Sequence, residues 1–236
     1  MCLLVIGGSG HVGSLVLPLL AERHTLRIFD LRPPTGSGWD YVAGDVCDYP
    51  ALLGTAEGMD ALLYMAMGTQ NFETMESEVT AYDVSVKGLY FALRAAHQVG
   101  IAHAVYTSSM SVYENLAGRY FSDEEITPDA RHFYGFTKLL GEHVCRNAAR
   151  EWDMTINALR LCLPVSEERL LAETRLGTPT IATTGGDIAR ALLAALDYRG
   201  GGFEAFMISG DYEQKIMNMA KAKRLLNWEP RARPIQ

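Results

Sequence analysis

The sequence predicts an α/β protein whose centre is a doubly wound parallel sheet, and three observations predict it. Short, continuously apolar runs such as 2–6 and 61–65 alternate with stretches whose apolar residues recur at helical spacing. That alternation marks strands buried on both faces by crossover helices. A glycine cluster, Gly7, Gly8, Gly10 and Gly13, sits where the first apolar run meets the first helical stretch. The 236 residues, 48% hydrophobic and 21% charged, suit one core and are too apolar for a disordered chain.

In chain order, residues 2–6 read as the first strand, 7–10 as a tight turn and 12–22 as the first helix. Pro18 inside that helix removes one backbone bond and predicts a kink. Residues 25–29 form the second strand, closed by Asp30, and 31–39 carry the Pro, Gly and Ser content of a surface loop. A third strand at 41–43 precedes a helix at 49–56, and a fourth at 61–65 precedes a long helix at 76–99. The fifth strand starts at His103 and ends in Thr107-Ser108-Ser109; a helix at 133–151 and a sixth strand at 155–161 follow. Beyond 161 the pattern loosens into short elements around Gly200-Gly201-Gly202, so residues 1–160 are expected to form the main domain and 161–236 a small lobe that does not fold independently.

The formal net charge of −7, with no basic run, argues against a nucleic-acid partner. Cys2, Cys47, Cys145 and Cys162 form no CxxC or Cys/His cluster, and His97, His103 and His143 lack partners at ligand spacing, so no metal is expected and the thiols read as buried and reduced. Strand-like residues begin almost at Met1 and no apolar run reaches the length of a bilayer span, so a cytoplasmic location away from membranes is the expectation.

Gly7, Gly10 and Gly13 leave backbone N–H groups open to a pyrophosphate at a helix start, with His11 and Val12 between them. Among 22 glycines such spacing arises by chance roughly 0.2 times, so the strand-to-helix setting carries the signal. Asp30 stands where a carboxylate accepts bonds from adenosine ribose hydroxyls and repels a 2′-phosphate, which favours NAD; the neighbouring Arg32 leaves mixed specificity open. Asp45, in Gly44-Asp45-Val46, reads equally as a contact to the adenine amino group or as a helix N-cap.

Tyr134 and Lys138 are one helical turn apart and share a face. A tyrosine is a poor base near neutral pH, and bringing its pKa there takes about 4 kcal/mol of preferential stabilisation of the phenolate. An ammonium one turn away, helped by a positive nicotinamide ring, supplies much of that. Ser109 ends a strand on the edge that faces the ligand crevice, where it can hold a substrate hydroxyl.

With these residues in place the chain resembles the NAD-dependent epimerase/dehydratase family of extended short-chain dehydrogenases. The resemblance rests on GGSGHVG, Asp30, Gly44-Asp45-Val46, VYTSSMSVY at 105–113, YGFTK at 134–138, LRLCLP at 159–164, GDIARA at 186–191 and AKRLLNWEP at 222–230. It implies a Rossmann fold over 1–160 that binds NAD and a substrate lobe over 161–236. It implies catalytic roles for Ser109, Tyr134 and Lys138, with Lys138 also on the nicotinamide ribose. Cofactor contacts implied by position are Leu31, Arg32, Val46, Met65, Ala66, Met67, Thr107, Leu161 and Cys162, together with Ser85, which stands where the family has an asparagine. A homodimer through the helices at 76–99 and 133–151 is implied as well.

Met110 and Ser111 replace the Asp-Glu pair of the family's dehydratases, which disfavours elimination of water. The short chain after Lys138 points to a compact substrate, a sugar or sugar acid, and among compact members the chain resembles uronate dehydrogenases. Thr69 and Ser111 are then expected at the substrate, and Arg169 reads either as a carboxylate-binding arginine or as an exposed side chain without a ligand. Residues 68–80 are expected to form a substrate flap and Asp123-Glu124-Glu125 a solvated loop. An epimerase that retains its NAD and a noncatalytic NAD sensor on the same fold are the rival readings.

Overall fold

A computed structural model describes residues 1–69, 73–116, 118–174 and 180–233. Its elements, in order, are β1 (Cys2–Ile6), α1 (His11–Ala21), β2 (Thr25–Asp30), β3 (Asp40–Ala43), α2 (Tyr49–Ala56), β4 (Ala61–Tyr64), α3 (Met75–Tyr82), a π-turn (Asp83–Gly88) and α4 (Leu89–Gln98). Then come β5 (His103–Ser109), a 3-10 turn (Met110–Val112), α5 (Phe133–Trp152), β6 (Thr155–Leu161), β7 (Pro164–Val165), α6 (Glu167–Thr174), β8 (Thr183–Thr184), α7 (Gly185–Asp197), β9 (Phe203–Ile208) and α8 (Ala220–Leu226).

Seven strands make one parallel sheet in the order β3-β2-β1-β4-β5-β6-β9. The chain winds outward from β1 in one direction and outward from β4 in the other. The carboxyl ends of β1 and β4 therefore border the switch point, where such sheets leave a crevice for ligands.

Side chains alternate along each strand, so β1 splits its burial between two cores. Leu3 and Val5 pack with Val16 and Leu20 of α1 and Ile188 and Leu192 of α7. Leu4 and Ile6 pack with Leu52 of α2, Leu93 of α4 and Ala148 of α5. Pro18 stays inside a continuous α1, on its exposed face, where the Ser14 carbonyl it leaves unpaired can meet water.

Three sequence expectations change. The long helix at 76–99 is two α-helices joined by the π-turn, whose looser winding frees the Val84 carbonyl to accept the Tyr64 hydroxyl at 2.6 Å. Residues 161–236, expected as a small lobe, divide: β9 extends the main sheet and α7 covers it, while Val165, Leu170 and Ala182 form a small cluster around the β7–β8 pair. Glu124, expected in a solvated loop, is buried; its Oε1 accepts the Met207 N–H at 3.0 Å, and burial pushes its carboxyl up.

Behind β5 lies a buried ion pair. Arg160 of β6 donates from Nε and Nη2 to the two carboxylate oxygens of Glu142 of α5, at 2.9 and 2.8 Å, and both residues are fully buried. Ser108 donates to Glu142 at 2.7 Å, and Arg160 also donates to the Tyr113 hydroxyl and, at 3.2 Å, to the Glu124 carbonyl. One cluster thus joins β5, β6, α5 and the 113–126 segment.

Candidate active site

A cavity of about 1010 Å³ opens at the switch point, at the upper end of the range for small-molecule sites. Its floor is the glycine turn. Gly7 has φ +82°, and a Cβ there would lie 2.3 Å from the Ala66 α-carbon, so only glycine lets the turn pass beside the end of β4. A Cβ on Gly13 would meet the Gly8 carbonyl at 1.9 Å, which seats α1 tightly on the turn.

The start of α1 bears neither a side-chain cap nor an acidic residue, whereas Asp48, Thr74, His132 and Thr184 cap α2, α3, α5 and α7. Its first N–H groups and the positive end of its dipole therefore face the cavity free to meet an anion. At the far side of the turn, the Asp30 carboxylate accepts N–H bonds from Ser9 at 3.0 Å and Arg32 at 3.2 Å, which hold it at the cavity wall. Asp45 accepts from the Cys47 N–H at 2.8 Å and lines the cavity; the N-cap role left open for it belongs to Asp48. This set of groups fits a dinucleotide.

At the other end of the cavity β5, its following 3-10 turn and α5 converge. Lys138 is buried and donates to the Thr107 carbonyl at 2.9 Å; its ammonium lies 5.9 Å from the centre of the Tyr134 ring and 5.3 Å from that of Tyr106. Burial lowers the Lys138 ammonium to about 8. The Tyr134 phenol is hydrogen-bonded to Ser109. Burial raises that phenol above its ordinary value and the Ser109 bond opposes the rise, so the chain's own groups do not bring Tyr134 to neutrality. Ser109 Oγ also accepts the Ser111 N–H at 3.1 Å, which fixes the serine.

Of the residues singled out from sequence, Gly7, Gly10, His11, Val12, Asp30, Leu31, Arg32, Asp45, Val46, Met65, Ala66, Met67, Thr69, Thr107, Ser109, Ser111, Tyr134, Lys138 and Leu161 line this cavity. Gly13, Ser85, Cys162 and Arg169 do not. Gly13 acts through packing. Ser85 is buried within the π-turn; Val84 of that turn and Thr80 of α3 line the cavity instead. Cys162 is buried beneath it, and Arg169 is exposed on α6. Of the expected flap at 68–80, residues 70–72 lie outside the described residues.

Gly68 and Thr80, the ends of that expected flap, line the cavity, and sequence reasoning gave no site role to Ser9, Phe29, Val84, Ser108, His132, Leu163 and Pro164, which line it too. Leu163 is an exposed apolar residue at φ +39°, an uncommon conformation for a non-glycine residue and one that clusters at functional sites. His11, at the start of α1, reaches across to the Pro164 carbonyl, with Nε2 at 3.0 Å. No helix among the described residues is long and apolar enough to cross a membrane, and no group of His, Cys, Asp or Glu among them is arranged to hold a metal ion.

The model of the NAD dependent epimerase/dehydratase family matches residues 3–183. The chain is 28% identical over 149 residues to the N-acetyl-alpha-D-glucosaminyl-diphospho-ditrans,octacis-undecaprenol 4-epimerase of Escherichia coli O157:H7, covering 63% of this chain and 43% of that protein. It spans less than half the length of the first curated relatives it matches. Among solved structures, a short-chain dehydrogenase/reductase superfamily protein from Agrobacterium tumefaciens with bound NAD superposes with a TM-score of 0.82 at 22% identity, over 99% of this chain and 93% of that one. A mutated uronate dehydrogenase gives 0.81 at 20% identity, over 98% and 82%. At these identities the likeness is one of fold.

Proposed function

Because the chain belongs to the NAD dependent epimerase/dehydratase family, we propose that it is an NAD-dependent oxidoreductase that moves hydride at a carbinol carbon of a sugar or sugar-acid substrate. The observation that carries this reading is the meeting of Ser109, Tyr134 and Lys138 in the same cavity as the glycine turn and Asp30.

Gly7, Gly10 and the open start of α1 hold the pyrophosphate, Asp30 the adenosine ribose and Lys138 the second ribose. When bound, the oxidised dinucleotide supplies the hydride acceptor and a positive ring charge beside the phenol. Ser109 orients the substrate hydroxyl, and Tyr134, as the phenolate, takes its proton at the phenolic oxygen and becomes the phenol. The buried Lys138 ammonium stabilises that phenolate before the transfer, which is what makes the tyrosine a base. Thr69 and Ser111 stand at the substrate end, whereas Arg169 lies outside the cavity and carries no role in this proposal.

The test is a panel of free sugars, sugar acids and nucleotide sugars, read by NADH absorbance. NADH from one class supports the reading. No NADH from any of them, with no NAD retained on the purified protein, overturns it.

A sugar epimerase that keeps its cofactor is the second reading, and the bridge from His11 to the Pro164 carbonyl favours it by tying two walls of the cavity together beside the glycine turn. NAD that copurifies, with substrate interconversion and no net NADH, selects this reading. Either form is expected to be a homodimer: Met75, Val79, Tyr82, Tyr90 and Phe136 are exposed apolar residues on the neighbouring helices α3, α4 and α5.

A further inference from the structure

His132 is the N-cap of α5, with extended backbone, and its Nδ1 accepts the Gly135 N–H at 3.2 Å. A ring nitrogen that accepts carries no proton, so the neutral imidazole keeps its proton on Nε2 and presents a donor there. Helix geometry thereby sets the tautomer.

The ring is also held in place. Glu114 accepts the backbone N–H groups of Arg131 at 2.7 Å and His132 at 3.4 Å, and these bonds hold its carboxyl below the usual range. Gly135 has no room for a side chain, because a Cβ would meet the Ser111 carbonyl at 2.0 Å and His132 Cε1 at 2.8 Å. The first turn of α5 is thus pressed on the 3-10 turn, and the imidazole lies between helix and cavity. It lines that cavity beside Ser109 and Ser111, nearly parallel to the Tyr134 ring, at 16° and 6.5 Å between centres. Among the described residues its one hydrogen bond from the ring is the cap at Nδ1.

We propose that His132 is a substrate-positioning residue whose Nε2–H donates to a second oxygen of the substrate, near the reacting carbinol, so that polyols and hydroxy acids bind in preference to simple alcohols. The inference rests on the oxidoreductase reading above and adds a specificity contact to it. A donor fixed by the cap loses little freedom when it binds, which is the use of such preorganisation.

The experiment compares wild type, His132→Ser and His132→Asn, all saturated with NAD, on the most active compound of the sugar panel. Serine keeps a capping oxygen without a donor that reaches the cavity; asparagine keeps both a capping oxygen and an N–H donor. His132→Ser is expected to raise KM about tenfold, equivalent to about 1.4 kcal/mol of binding, with kcat within about threefold, and His132→Asn to recover part of the loss. NAD affinity and Tm, measured alongside, should stay near wild type in both. An unchanged KM in His132→Ser overturns the proposal, as does a 15N spectrum that places the His132 proton on Nδ1. A wild type that is silent on the whole panel and retains no NAD defeats the oxidoreductase reading and the inference with it, a result seen before any variant is made.

Discussion

The Lys138 ammonium is almost wholly removed from water and has one backbone acceptor, the Thr107 carbonyl. Its pKa in the folded chain, about 8, lies below the 10.5 of an exposed lysine. Between those values the unfolded chain holds more protons than the folded one, so this residue's contribution rises with pH from 8 to 10.5 and is least favourable below 8. The penalty at neutral pH is about 3 kcal/mol. Lys138→Met is therefore expected to raise the urea midpoint at pH 7 by the equivalent of up to ~3 kcal/mol while turnover falls at least ~10²-fold. A lower midpoint would show that the Thr107 bond outweighs the burial. Tyr134→Phe is expected to keep NAD affinity within about threefold by calorimetry and to lose turnover by ~10²–10⁴-fold. His103 works in the opposite pH range. It is buried between β5 and α7, with Nε2 3.1 Å from the Ala195 carbonyl, and burial lowers it to about 4. Its contribution is complete above 6.5 and is lost as pH falls to 4, so His103→Gln should flatten the stability profile over that range by ~3 kcal/mol in denaturant titrations. Asp30, Ser109, Tyr134 and Lys138 are legible in sequence because each sits at a fixed offset on one strand or helix. His132 and Leu163 are not, because packing of separate elements brings them to the cavity and no local spacing announces them.

At the scale of elements, α1 starts beside the cavity with neither a side-chain cap nor an acidic residue, and the turn before it admits no side chain at Gly7. Gly7→Ala is expected to weaken NAD binding by at least ~10-fold in a fluorescence titration, because the turn must move away from the Ala66 backbone. An affinity equal to wild type would show that the cofactor does not use this turn. Six strands and the helices between them follow from apolar periodicity alone. The π-turn does not, since the partner of its Val84 carbonyl, the Tyr64 hydroxyl, comes from β4. The seventh strand was hidden by Glu204, a charge inside an otherwise apolar run; in the fold that carboxylate meets Lys221 of α8 at 2.6 Å. Likewise Glu124 reads as part of an acidic loop until Met207 and Arg160 are placed beside it.

Across the whole molecule, the exposed apolar residues of α3, α4 and α5 lie on adjoining helices, of which α4 and α5 cover one face of the sheet. If two copies join there, Tyr90→Glu combined with Phe136→Glu should shift sedimentation from dimer to monomer, while a monomeric wild type would remove that part of the proposal. The fold was readable because burial on both faces of a sheet leaves a continuous trace in the sequence. The extent of the small C-terminal portion was not, because its pieces are sorted by the contacts of α7 with α1, far away in the chain, and of β9 with β6. The buried pair of Glu142 and Arg160 has a further consequence, for descent. Removing either partner alone strands a buried charge at ~3–5 kcal/mol, whereas replacing both with apolar residues of matching volume is often tolerated. Single substitutions at 142 or 160 therefore cross a valley that a double change avoids, and a lineage carrying this chain should keep the two positions together or exchange them together.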